Sequence, residues 1–409
     1  MRDVYDATAL TPLRVARSGG YIDWASQPAL FKHYPDFLYR IGFDAHPDLA
    51  AAALVRCITF ESTVGGKPYY RLNTPSAGNL HPVELYVQIR GLKGVLSGIY
   101  HVDALHSELV LLRECGEEGV EPLLGLEHRF VGMLFLISVV PFRSEWKYGH
   151  RAWRYCYMDA GHQLGALHAA MQASGRQAEV LDIADAPALN RMMGFGSEEF
   201  IAAAVAVGEE GGKPARAPET PLMRVAPTDY CESDGTVGGW IAQMQRTGLR
   251  MSGPKTDADE TLQRQRRSAR SFSATGMPRE AFERIMHTLE QIPEGIKAYT
   301  VVLRPEHAEP GLYMGGERLK AGAFADTMAA LLVDQRFVAA AEIVTVLCSE
   351  SYSAALQMEA AAFAHALSME AAARKVGYTA IGAFYDKKMQ KFLTTSEYIL
   401  YVGVLGTEK

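Results

Sequence analysis

The 409-residue chain has no CxxC pair: its five cysteines stand far apart, at Cys57, Cys115, Cys156, Cys231 and Cys348. An odd number of scattered thiols supports neither a zinc site nor a disulfide framework, and fits a reducing compartment. Blocks of Lys and Arg are also lacking. The 41 basic against 47 acidic side chains give a net charge of -6, without the electrostatic footprint that a nucleic-acid partner requires. No stretch reaches the ~18 apolar residues of a membrane span, and the opening MRDVYDATALTPLRV is acidic and has no apolar h-region. A cytoplasmic protein without nucleic-acid or membrane partners is expected.

What is present is the balance of a globular protein: 48% hydrophobic, 10% aromatic and 22% charged residues, which excludes disorder and coiled coil. The length suits two domains of roughly 200 residues each. The least periodic, most Gly/Pro-rich stretch runs from about Gly208 to Gly253 and reads as a connector. Within it Trp240, Ile241 and Met244 fall at i, i+1 and i+4, the spacing of a short packed helix. The expected division is a first domain over 1–212, a connector over 213–254 and a second domain over 255–409.

The two halves echo one another at an offset of roughly 200 residues. Gly98-Ile99-Tyr100 answers Gly311-Leu312-Tyr313, and the apolar runs Met133–Val140 and Ala341–Leu347 each read as a buried strand. Each is followed by a long helix rich in Ala, Leu and Met, about Ala152–Ala173 and Ala354–Lys375. Gly175 and Gly377 stop them as αL caps. So few charges on any face imply helices buried all round. A duplicated α+β unit of this kind pairs its halves as a pseudo-dimer, with sites at the seam.

Three local motifs carry chemistry. Thr74-Pro75-Ser76-Ala77-Gly78-Asn79-Leu80-His81-Pro82 precedes an alternating strand over Val83–Ile89. Small residues, a hydroxyl, an amide and backbone N–H groups in a tight loop suit close approach of a planar polar ring, and equally suit a plain loop before a strand. Arg266-Arg267-Ser268-Ala269-Arg270-Ser271-Phe272 precedes a helix over Arg279–Leu289. Its three guanidiniums can grip a phosphate dianion, or lie solvated at the surface. Trp146-Lys147-Tyr148-Gly149 stands before the first long helix. A lysine brought towards neutrality by burial is a proton acceptor, and an exposed Lys-Tyr pair is the alternative. The stretch Gly248–Thr256 misses a P-loop because Pro254 removes a cradling N–H. His101 and His106, like His162 and His168, lack the spacing and company of a metal site.

Together these blocks resemble the nitroreductase superfamily of FMN flavoproteins, specifically its SagB-type branch of azoline (thiazoline/oxazoline) dehydrogenases. The blocks PSAGNLHPVELYV, SGIYHVDALHSEL, EWKYGHRAWRYCYMDAGHQLGAL, RRSARSF and TAIGAFYD, and an N-terminal stretch through Ile22-Asp23-Trp24-Ala25-Ser26-Gln27-Pro28, are each similar to family segments. The implied fold is α+β, two tandem nitroreductase-like domains with antiparallel-rich sheets forming an intramolecular pseudo-dimer. Each half lacks what the other retains: the first keeps PSAGN without RRSxR, the second keeps RRSxR and Ala380–Phe384 without PSAGN.

The resemblance therefore implies one composite FMN site per chain. Arg266, Arg267 and Arg270 would bind the phosphate and Ser268 the ribityl or phosphate oxygens. Pro75, Ser76, Ala77 and Asn79 would line the ring, with Gly382 and Ala383 opposite. Lys147 would remove the Cα proton of an azoline while Tyr148 orients the ring or shares the proton relay. The implied partners are a peptide or small-molecule heterocycle and a cyclodehydratase or peptide-synthetase complex, for a chain that is itself a monomer. Two other readings stay open: an NAD(P)H-dependent nitro or quinone reductase, and a non-catalytic scaffold of a heterocycle-forming complex.

Overall fold

The computed structural model describes every residue except 19–21, 245–247, 251–253, 255–258 and 274. The chain divides into two compact units, Asp23–Met251 and a second made of Ser252–Lys409 with Met1–Ile22. Each is an antiparallel sheet with helices.

In the Asp23–Met251 unit the strands are β1 (Arg40–Gly42), β2 (Ile58–Val64), β3 (Lys67–Leu72), β4 (Val83–Arg90), β5 (Gly98–Asp103), β6 (Glu108–Glu114), β7 (His128–Val139), β8 (Glu179–Leu181) and β9 (Phe200–Pro214). Seven of them form one sheet in the order β1-β6-β5-β4-β7-β9-β8, while β2 and β3 make a separate hairpin. β4 is central, hydrogen-bonded to β5 and β7, and every residue of it is buried. Its alternation therefore sorts side chains between two covered faces: Tyr86 joins Leu136, Ile201 and Leu189 in a core cluster.

The second unit contains β10 (Lys297–Val302), β11 (Gly311–Met314), β12 (Glu317–Ala321), β13 (Ile343–Ser349), β14 (Gly377–Ala380) and β15 (Tyr398–Gly406), ordered β12-β11-β10-β13-β15-β14. This repeats the order β6-β5-β4-β7-β9-β8, strand for strand, so the echo in the sequence is a repeat of topology. Val301, Leu312, Val344, Val346, Phe384 and Val402 build its core. The long helices run over Ala152–Ala173 and Ala354–Ala373, and each is buried along nearly its whole length. Among the described residues no helix is long and apolar enough to cross a membrane.

The boundaries differ from the expected ones at both ends. The first 22 residues pack with the C-terminal half: Tyr5, 1% exposed, makes edge contacts with Tyr352 and Tyr398 at 4.8 Å each, and its hydroxyl accepts the Ile399 N–H at 3.1 Å. The Leu10 N–H is held by Asp386 Oδ2 at 2.9 Å. The Gly/Pro-rich stretch up to Met251 stays with the first unit, because its apolar residues find places there. Leu222 is buried, and the short helix is Thr236–Ala242, burying Val237 and Ile241 where Trp240 and Met244 are only half-buried. Residues 251–253 and 255–256 of the P-loop-like stretch lie outside the described residues.

The aromatic triad around Tyr5 sets the first prediction. Tyr5→Ala removes a buried ring that no other group replaces and should cost about 3–5 kcal/mol, whereas Tyr5→Phe, losing one hydrogen bond, should cost about 1 kcal/mol. Urea unfolding followed by circular dichroism distinguishes the two; equal, small losses would mean that the N-terminal helix is not part of that core.

Candidate functional site

The Thr74–Pro82 loop joins β3 to β4, and its shape is unusual for non-glycine residues. Gly78, Asn79 and His81 all adopt positive φ, at 64°, 60° and 45°, a region in which L-residues pay a steric cost and glycine does not. Side chains hold this shape from beneath. Ser76 Oγ accepts the His81 N–H at 2.9 Å, and Asn79 Nδ2 donates to the Tyr70 carbonyl at 2.7 Å. His81 Nε2 lies 3.2 Å from the same carbonyl and must carry its proton there, while the ring stacks on Phe31 with centroids 5.6 Å apart. Burial and the nearby Arg56 push the His81 imidazole down to about 3, so it is neutral. The Ser76 hydroxyl and Asn79 amide expected to line a ligand ring are thus both engaged in bracing the loop.

Asp159, from the buried face of the Ala152–Ala173 helix, anchors the loop. Its Oδ1 accepts the Ala77 N–H at 3.4 Å, the Ser76 hydroxyl also bonds to it, and its Oδ2 has no hydrogen-bond partner. Burial raises this carboxyl to about 7, against the opposing pull of the Ser76 and Ala77 hydrogen bonds. One turn further on, Gln163 accepts from Arg56 Nη1 at 3.3 Å. Arg56 is itself buried, with Nε and Nη2 unpartnered.

The Lys147-Tyr148 pair ends the Pro141–Tyr148 helix, which Gly149 stops. That helix is fixed at its start by Arg143. The fully buried guanidinium donates Nη1 to the His81 carbonyl at 2.9 Å and Nη2 to the Pro227 carbonyl at 2.7 Å, and pairs with Glu84 Oε1 at 2.7 Å. Glu84 also accepts the Lys32 N–H at 2.8 Å and meets His101 Nε2 at 3.1 Å. Burial alone would push the Glu84 carboxyl up, but Arg143 and His101 outweigh it and hold it well below the usual carboxylate range.

The clamp delivers both functional heads to one place. A Cβ built on Gly78 would lie 2.4 Å from the Tyr148 hydroxyl and 3.2 Å from Lys147 Nζ. Gly78 is therefore required twice, for its φ and for the approach of these two groups. Burial lowers the Lys147 amine below its ordinary value and raises the Tyr148 phenol above its own. The arrangement offers an amine with an increased neutral fraction beside a phenol that stays protonated, which is an acceptor and a donor over one loop.

The second unit groups the remaining expected residues. Ala269 donates its N–H to the Tyr378 carbonyl at 2.8 Å, so Arg266–Arg270 runs alongside β14, the edge strand that leads into Gly382 and Ala383. Arg266 is buried and Arg270 exposed. Arg267 is exposed and paired with Glu408 at 3.0 Å. Ser268, Gly382 and Ala383 are half-buried. His106 does have carboxylate company: with Asp103 and Glu108 it forms a cluster whose ligand atoms lie close enough together to hold an ion. Arg40 already neutralises it, hydrogen-bonded to Glu108 and 3.5 Å from Asp103.

Asp159 and Arg143 were not singled out from sequence. A signal existed for the first: a carboxylate in a helix too apolar to lie at the surface needs a local reason.

Residues 264–407 match the sequence profile described as the nitroreductase family, a family of FMN-dependent oxidoreductases. A protein of Methanocaldococcus jannaschii that carries the nitroreductase name is 34% identical over 93 residues, 22% of this chain and 46% of that protein, so the match spans less than half of the relative's length. Among solved structures, a nitroreductase-named protein of Anabaena variabilis superposes with a TM-score of 0.79 at 18% identity, covering 100% of this chain and 99% of the other. That likeness gives the chain a nitroreductase-like fold over its whole length. A structure from Desulfovibrio desulfuricans, of a nitroreductase-named protein in complex with FMN, covers 36% of this chain and 84% of its own at 15% identity and a TM-score of 0.29.

Asp159 generates the second prediction. Its native carboxyl binds a proton more tightly than the unfolded one, so the native state loses stability as pH rises from about 4 to about 7. Comparing urea unfolding at pH 5.5 and pH 8, Asp159→Asn should reduce this loss relative to the unsubstituted protein, by up to about tenfold in the unfolding constant for each pH unit between 5.5 and about 7, and by nothing further above that. An unchanged difference between the two pH values would remove Asp159 as the titrating group.

Proposed function

We propose that this chain is an FMN-dependent oxidoreductase that dehydrogenates azoline rings to azoles in a peptide or peptide-derived substrate. The observation that carries the reading is the convergence of the Lys147 amine and the Tyr148 hydroxyl on Gly78 of the Pro75–Asn79 loop. A reductase that only passes hydride has no need of a partly desolvated amine at that position. A dehydrogenase that must remove a carbon-bound proton does.

The residues present suit FMN. Arg266, Arg267 and Arg270, with Ser268, would supply the donors for a phosphate dianion, Arg267 by leaving its partner Glu408. Pro75, Ser76, Ala77 and Asn79 would line the ring, with Gly382 and Ala383. Because the side chains of Ser76 and Asn79 brace the loop, their contribution would come from the backbone. When bound, the flavin supplies the two-electron acceptor for the hydrogen leaving the neighbouring carbon.

The chain's own groups do the rest. Lys147, pushed down by burial, presents a lone pair that accepts the Cα proton and becomes an ammonium. Tyr148, pushed up by burial, keeps its proton and donates a hydrogen bond that orients the heterocycle. Formation of the ring double bond makes the product aromatic, which drives the step forward. The partner this reading implies is a cyclodehydratase or a peptide-synthetase module that supplies the azoline.

The test has two parts. Flavin released from the denatured protein, before and after reconstitution with FMN, should be FMN at about one equivalent per chain. Lys147→Ala should keep that flavin content and lose turnover of a thiazoline peptide by about 10²–10⁴-fold. Undiminished turnover in Lys147→Ala together with NAD(P)H-driven reduction of quinones or nitroaromatics would replace the dehydrogenase by a reductase. No flavin after reconstitution would leave a scaffold.

A further inference from the structure

Trp24 is an exposed tryptophan that the structure takes unusual care to hold still. The residue is 49% exposed, yet the short turn Trp24–Ser26 that carries it is tied down on every side. Asp23 Oδ1 accepts the Ala25 N–H at 3.0 Å, and Ser26 Oγ donates to the Asp23 carbonyl at 2.9 Å. Lys67, just past the tip of the β2–β3 hairpin, donates to the Trp24 and Ala25 carbonyls at 3.1 and 3.0 Å. Trp146 Nε1 donates to Ser26 Oγ at 3.0 Å, and the Tyr230 hydroxyl donates to the Ser26 carbonyl. The Trp146 ring meets Trp24 edge-on with centroids 5.5 Å apart. Three separate parts of the chain thus fix the turn that carries one surface indole.

The face so fixed is turned to the amine of the candidate site. Lys147 Nζ stands 4.7 Å from the centre of the Trp24 ring, within the range of a cation–π contact, and 5.3 Å from that of Tyr148. Indole is the strongest of the side-chain partners for such a contact, and the attraction exists only while the amine is protonated. Ionisable groups on the elements around Lys147 have other partners. Glu145, on its own helix, accepts from Ser233 at 2.9 Å; Asp23 caps Ala25; Lys67 is engaged by two carbonyls; Asp159 lies beneath the loop. Burial lowers the amine, and a cation–π contact acts in the opposite sense.

We infer that Trp24 is a positioning residue whose indole face favours the protonated form of Lys147 over the free amine, and that the N-terminal turn thereby sets the strength of Lys147 as a base. The contact favours the ammonium that results from proton abstraction over the free amine that begins it. It also keeps the charged head beside Gly78 rather than out in water. Removing the indole lowers the proton affinity of Lys147, so the free amine appears at lower pH. Only the consequence for turnover rests on the dehydrogenase reading; the effect on Lys147 itself does not.

The experiment is the pH dependence of acylation of Lys147 by acetic anhydride in the full-length protein, read by mass spectrometry of the peptide that contains it. Only the unprotonated amine reacts, so the midpoint reports the proton affinity directly, with or without flavin. Trp24→Leu should lower the midpoint by about 0.5–1 pH unit and Trp24→Phe by less. If Trp24→Leu fails to fold, the Phe variant decides, since it keeps an aromatic face at that position and weakens the contact with the cation. A midpoint that is unchanged or raised in the folded variants overturns the inference. In the flavin-loaded enzyme the alkaline-activated limb of kcat should move to lower pH by the same amount. A midpoint shift without any such limb would retain the role of Trp24 and remove Lys147 as the catalytic base.

Discussion

A single guanidinium organises the Asp23–Met251 unit. Arg143 is fully buried, and its two terminal nitrogens bind the His81 carbonyl at the end of one loop, the Pro227 carbonyl of a distant segment and the Glu84 carboxylate of the central strand. Without it the two carbonyls would lose these bonds and the Glu84 carboxylate its countercharge. A charge pair taken out of water on both sides is stabilising only when its remaining hydrogen bonds are made, and here Glu84 completes its set with the Lys32 N–H and His101. The result is that the loop, the sheet and the helix carrying Lys147 share one anchor. The spacing between Gly78 and the Lys147-Tyr148 pair is set by a network several residues away from either.

Other buried charges serve the same region. Asp159 and Arg56 face each other's fields in the interior, and Asp159 Oδ2, Arg56 Nε and Nη2, like Arg143 Nε, have no hydrogen-bond partner. Buried charges with unmet hydrogen bonds break the usual rule of polar satisfaction, and such positions collect at functional sites. The loop above them follows suit: three backbone positions at positive φ within four residues, held by Ser76, Asn79 and Asp159 rather than by regular secondary structure.

The second unit has the same strand order with a different endowment. Its arginine motif is not a free basic surface but a segment laid beside the edge strand β14, with Ala269 buried at 1% exposure and Arg267 diverted to Glu408. The small residues Gly382 and Ala383 follow from that strand. One duplicated topology thus carries an amine-phenol pair and its loop in one copy and a guanidinium row with a small-residue turn in the other.

Much of this was legible from local pattern. The strands expected over Val83–Ile89 and Ala341–Leu347, found at Val83–Arg90 and Ile343–Ser349, the two long helices and the repeat of their order follow from periodicities of two and 3.6, which depend on neighbours a few positions away. Of the two expected glycine caps Gly175 takes positive φ, whereas Gly377 lies in β14 and the second helix ends at Ala373. The resemblance also picked out the loop, the Lys-Tyr pair and the arginine motif. It could not say that Tyr5 belongs with Tyr352 and Tyr398, that a lone carboxylate at Asp159 reaches Ala77, or that Trp24 lies over Lys147. Those contacts join residues dozens to hundreds of positions apart, and no local periodicity encodes them. The sequence by itself determined which elements form and which residue types are available for chemistry; only the tertiary structure decided which of them meet, because burial, charge pairing and the approach to Gly78 exist only once the sheet has brought distant segments together.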